Sequence, residues 1–237
     1  MLALVLAAAL AVAGPSTPLD GHARFAAAVE QAKAHLAVCR ELYAAGETGE
    51  AALHASHPVQ EIGGRIFGPV KRVDAALGER VQEALKQPRR DIDRKVKAAG
   101  LERTLDATVA LLDESVRRVV PPAVERSLAF KMAVVREMLT GLEKEYDEAY
   151  KSGWITQMVE YHDAYAFFLR IQTLYRALAP ALVDASSSTV TVVDERMAAL
   201  ARAFPGLTPP TPPMTMDTLR THLAAVSKAL AAVKPTS

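Results

Sequence analysis

Within eight residues this chain places His54, His57 and Glu61, two imidazoles and a carboxylate at a junction between helical patterns. Imidazole and carboxylate are good ligands for borderline first-row metals, and a His-rich set with one acid suits Zn, Cu or Fe better than Ca or Mg. Four residues separate His57 from Glu61, which stacks them if Pro58 opens a helix. His54 ends the preceding short helix and can fold over the same spot. His35, on the first long helix, returns against it across a turn at Gly46 and is a candidate fourth member. The alternative is structural: His57 caps a helix ahead of Pro58, and His54 is solvated.

A second group, Glu160, Tyr161, His162, Asp163 and Tyr165, lies more than 90 residues further on. Neighbours such as His162 and Asp163 cannot share a helix face, so one of the two points inward. It then adds a ligand or, as an acceptor, orients a ligating histidine. Tyr161 belongs to the same candidate layer, which otherwise reads as buried aromatics with a hydrogen-bonded polar residue.

Helices must position these groups. The chain has 237 residues, 50% of them hydrophobic but only 5% aromatic, and 12 glycines. Composition rich in Ala, Leu and Val suits an all-α protein. Apolar residues recur at three-to-four spacing from Leu19 to Ala45, through Phe25, Val29, Leu36 and Leu42. A short helix is expected over 49–56, a broken, turn-rich stretch over 58–70, and a helix over 70–86 ended by Pro88. Further helices are expected over 91–120, from Pro122 to Tyr150, and from Ile155 to Leu178. A loop over 186–192 and a short helix from Asp194 to Phe204 follow. Five prolines between Pro205 and Pro213 make an extended connector before a last helix, Met216 to Val233. The only β-like run is Thr189 to Val193. The whole reads as six to eight helices in one bundle domain over residues 14–237.

Residues 1–13 are an unbroken apolar run, too short for a bilayer span of roughly 20 residues. With Ala11 and Ala13 framing a small-x-small site, they read as a signal peptide, although no Lys or Arg precedes them. The expected location is periplasmic or secreted, with no membrane span in the mature chain. A formal net charge of +1, with no basic patch, argues against nucleic-acid binding. Cys39 is the only cysteine, so no internal disulfide forms, and its place in an apolar stripe makes it a buried hydrophobe. Phosphate loops, nucleophile elbows, zinc-protease helices and paired Glu-x-x-His motifs are all missing, so the chain is not read as an enzyme. Residues 34–58 look like one tetratricopeptide-type helical hairpin, but no second copy follows to stack on it.

Two blocks carry a resemblance. The run from His35 through Glu41, Gly46, Ala52, His54 and His57 to Glu61, and the run Val159 to Phe167, resemble exported bacterial helical proteins. More distantly they resemble imelysin-like and iron-uptake-associated periplasmic proteins. The imelysin-like pattern is Gly-x-His-x-x-Glu; here His57 and Glu61 stand four apart rather than three. The resemblance implies a periplasmic all-α protein tied to iron or copper handling, with a metal ion or a transport protein as partner. The reading is a bundle that binds a transition metal, or assists its uptake, through His54, His57, Glu61 and His35. Its rival is a metal-free module that docks a partner protein. Histidines converging on an inner face favour the first; His54 and His57 more than about 8 Å apart favour the second, because bonds near 2 Å cannot bridge that gap.

Overall fold

The computed structural model describes residues 18–234. The candidate signal peptide lies outside them.

Helix α1, Pro18–Ala44, is the axle of the molecule. Its alanines, Ala23, Ala27, Ala28 and Ala32 among them, are buried and let other helices approach closely from several sides. The chain leaves α1 through Gly46, whose φ of +87° costs little without a Cβ. There the Glu47 amide donates to the Leu42 carbonyl at 2.9 Å, closing the helix end. Helix α2, Thr48–His57, then runs back along α1.

The stretch expected to be broken is helical throughout. A π-helical turn, Pro58–Ile62, leads directly into α3, Gly63–Val73. Pro58 enters at the first position of that turn, and Phe67 lies across Gly63, where a Cβ would come within 2.5 Å of its ring. Gly63 therefore serves packing rather than interruption. Helix α4, Ala75–Asp93, begins at Asp74, whose side chain accepts from the Leu77 amide, and it continues through Pro88. Proline at 88 removes the donor to the Ala84 carbonyl. Thr108 Oγ1 on the neighbouring helix reaches that carbonyl at 3.2 Å while also lying 2.8 Å from its own Thr104 carbonyl. The break expected at 87–90 falls instead after Asp93, with Lys95 at φ 55°. Helix α5, Ala98–Val119, buries Leu101, Leu105 and Leu112, each contributing about 1.5–3 kcal/mol.

After the short α6, Pro122–Arg126, Ser127 caps α7, Leu128–Ala149. Gly141 sits where α7 crosses α1, and a Cβ there would meet the Gln31 amide at 2.3 Å. Strands β1, Tyr150–Lys151, and β2, Trp154–Ile155, form a two-residue hairpin that the sequence reading lacked. Ser152 and Gly153, both at positive φ, make its turn.

Helix α8, Met158–Leu200, absorbs the loop expected over 186–192 and the β-like run 189–193. Only Ser186 leaves helical geometry, and its hydroxyl accepts from the Thr189 amide, restarting the helix. The second segment folds back along the first: Tyr175 Oη donates to Asp194, and Phe168 stacks on Phe204. Residues 205–213 are non-helical, as the prolines dictate, and buried tyrosines strap them down. Tyr161 Oη donates to the Gly206 carbonyl at 3.1 Å, and Tyr146 Oη to the Met214 carbonyl at 2.8 Å. Helix α9, Met216–Ala232, packs on α7 and α8. The protein is all-α apart from the hairpin, and no helix among the described residues is long and apolar enough to cross a membrane.

Candidate metal centre

Four residues from three helices meet inside the bundle. Helix α1 supplies His35, α2 supplies His54 and His57 one turn apart, and α8 supplies Asp163. All four are buried, and each offers a ligand atom within 4.8 Å of the others. Asp163 is the hub. Its Oδ1 lies 2.6 Å from His35 Nδ1 and 2.8 Å from His54 Nδ1, and its Oδ2 lies 2.9 Å from His57 Nδ1. The rings of His54 and His57 are 5.3 Å apart, inside the limit for sharing one ion. Phe167, one turn beyond Asp163, packs its edge on the His35 ring at 5.2 Å.

Three consecutive residues of α8 point three ways, as a helix requires. Asp163 faces the centre. His162 turns aside: its Nε2 lies 3.0 Å from the Leu207 carbonyl and its Nδ1 3.2 Å from Glu50. Tyr161 faces the connector. His162 and Tyr161 thus surround the centre without entering it. Glu61 stands at its edge, 3.7 Å from His57 Nδ1 with its side chain 39% exposed, because the π-helical turn inserts a residue after His57.

Burial alone would raise the Asp163 carboxyl, but the three imidazoles outweigh it and hold the acid well below its ordinary value. Burial likewise pulls His57 down, yet Asp163, with Glu61 and Glu160 behind it, leaves it raised. His162 is lowered, chiefly by burial and then by His54. The hub is therefore an ionised carboxylate receiving imidazole N–H groups.

The donor set fits a transition metal. Three imidazoles and one carboxylate are a tetrahedral complement for a borderline ion. The Nδ1 atom of each imidazole faces the Asp163 carboxylate, while the Nε2 atoms of His35 and His54 are buried without partners. A tetrahedral ion with bonds near 2 Å needs donors about 3.4 Å apart. The observed 2.6–2.9 Å separations are those of hydrogen bonds, so an ion would replace the shared protons and spread the ring.

A second acidic group escaped the sequence reading apart from Glu160. Glu145 and Glu148 of α7 and Glu160 of α8 bring carboxylate oxygens within 4.8 Å. Lys144 pairs with two of them, 3.2 Å from Glu145 and 3.0 Å from Glu148. Burial pushes the Glu145 carboxyl up to about 8, with Lys144 opposing and Asp163 reinforcing. The three-residue spacing of Glu145 and Glu148 was the available signal; Glu160 joins them only through the hairpin.

Residues 121–237 match the family model described as the iron permease-associated 4-helix bundle domain. No curated protein and no solved structure matches the chain. The matched stretch holds α7, the two segments of α8, and α9, which pack on one another. Over those residues the chain is similar to an iron-uptake-associated helical domain, the coarser part of what its two sequence blocks implied. Asp163 lies within the match, whereas His35, His54 and His57 precede it.

Proposed function

We propose that this protein binds a transition-metal ion, as cargo in a process linked to iron uptake, through His35, His54, His57 and Asp163. The observation that carries the reading is the convergence of three histidine Nδ1 atoms on one buried carboxylate, at 2.6–2.9 Å. The match to an iron permease-associated bundle supports iron as the ion. Two of the four ligands come from within α2, so binding ties α2 to α1 and α8. Four protein donors complete a tetrahedral centre and leave no open position for a substrate, which supports binding rather than catalysis. Glu61 serves as an outer acid beside His57 in this reading, and Tyr161 and His162 brace the connector. Export to the periplasm belongs to the same proposal, resting on the apolar run of residues 1–13.

The test is anaerobic calorimetric titration of the purified protein with Fe(II), and separately with Zn(II) and Cu(II). A His54→Ala/His57→Ala variant runs alongside. One-to-one binding at micromolar affinity or tighter, lost in the variant, is the expected outcome. A folded wild-type protein that binds none of the three ions refutes the reading.

A second reading, a metal-free docking module, has one observation in its favour. Trp154 is 62% exposed at the hairpin tip, within the matched stretch, where a partner could take it up.

A further inference from the structure

The buried centre has one flank that meets a cavity. About 210 Å³ of space lies beside α1, the π-helical turn and α7, lined in part by His35, Glu61, Glu145 and Lys144. His35 is fully buried, its Nδ1 is held by Asp163, and its Nε2 has no partner. That Nε2 edge is the polar group His35 has left to offer the cavity. The opposite flank is covered: the His54 ring faces His162 at 5.7 Å, and His162 is held by the Leu207 carbonyl, with Glu50 lying beside it.

We propose that this cavity is the route by which a divalent transition-metal cation reaches the centre, with Glu61 and Glu145 receiving the ion, Lys144 yielding to it, and His35 the first imidazole it meets. The proposal rests on the metal reading above and adds the path and its residues. Glu61 is suited to the first step because it is part-exposed and only 3.7 Å from His57 Nδ1. Glu145 is buried deeper, and its carboxyl, once ionised to receive a cation, needs a counter-charge. Lys144 lies beside it at 3.2 Å on a side chain that is 60% exposed, and Glu148, 3.0 Å away, keeps the ammonium paired when it leaves Glu145. A dication displacing that ammonium leaves the carboxylate paired throughout. Arg65, the other cation lining the cavity, is tied to Gln31 Oε1 at 2.7 Å and stands apart from this exchange. Carboxylates around a low-dielectric cleft raise the capture rate of cations by about ten- to a thousandfold, an effect that salt weakens.

Stopped-flow mixing of the full chain with Co(II) tests the route, because cobalt bound by imidazole and carboxylate shows visible absorption bands. The expected result for Glu61→Gln/Glu145→Gln is the wild-type final spectrum reached about tenfold more slowly. Lys144→Met is expected to bind faster than wild type. Should the double variant fail to fold by circular dichroism, Glu61→Gln alone is expected to slow capture severalfold. Unchanged rates in the Glu61 and Lys144 variants overturn the route, as does a changed final spectrum, which would make a glutamate a ligand instead. Wild-type protein that develops no cobalt bands overturns the metal reading itself, a failure distinct from an altered rate.

Discussion

Replacing Asp163 by asparagine preserves the shape of the hub and removes its charge. The amide oxygen can still accept from His35 and His54, which share Oδ1 in the native protein. The amide nitrogen then stands where Oδ2 accepted from His57, so that contact becomes donor against donor unless His57 changes tautomer. Hydrogen bonds to charged groups contribute about 1.5–3 kcal/mol each and neutral ones about 0.5–1.5 kcal/mol. Two weakened bonds and one lost bond sum to about 3.5–6 kcal/mol. Relief of the buried carboxylate's own desolvation offsets part of this, leaving about 3 kcal/mol. In a chain of this length 1 kcal/mol moves Tm by about 2–4 °C, so the metal-free variant should melt about 6–12 °C below wild type. The assay is thermal unfolding by far-UV circular dichroism after chelator treatment, near pH 6, where the carboxyl is ionised. Adding metal at about 100 times its Kd should raise wild-type stability by about 2.7 kcal/mol and leave the variant nearly unmoved. A metal-free variant within about 2 °C of wild type would show that Asp163 does not hold the three histidines, and the account of the centre would fail.

Other expectations follow from the same geometry. In the metal-free protein, Asp163 is held below its ordinary value, so its contribution is complete above about pH 4 and is lost as pH falls through the folded value. His57 is raised, so its contribution is complete below about pH 6.5 and fades as pH rises through its folded value. Glu145, raised from 4.5 to about 8, likewise favours the fold below 4.5 and ceases to as pH rises through 8. Metal-free Tm should therefore fall between about pH 5 and pH 8, and fall less in Glu145→Gln; a Tm that rises across that range contradicts the assignment. Burial pushes the Cys39 thiol up to about 12, so a disulfide reagent should label it only in denaturant, and rapid labelling of folded protein would place it at the surface. Tyr146→Phe/Tyr161→Phe removes the donors to the Met214 and Gly206 carbonyls and should speed limited proteolysis between 205 and 213 while leaving helicity unchanged.

The helical class and most helix positions were legible along the chain, because burial of one stripe forces a three-to-four spacing that can be read locally. The turn at Gly46, the last helix and the proline connector were legible for the same reason: each follows from what a few adjacent residues can do. His54 and His57 were legible as a pair by type and proximity, but only the structure extends α2 to His57 and sets the two on one face. Helix continuity through Gly63, Pro88 and 187–193 was not legible. There the residues prefer a break, and contacts from elsewhere, such as Thr108 beside the Ala84 carbonyl, alter the outcome. The centre shows the same division. Histidine and aspartate mark themselves as candidates by type, but nothing near residue 163 says whether His162 or Asp163 turns inward. That depends on the rotation of α8 against α1 and α2, which is set by Phe167, Phe168 and Tyr161 finding their places in the core. Only the packed structure brings residues 128 positions apart to 2.6 Å, and it moves Glu61 aside through one extra residue in a π-helical turn.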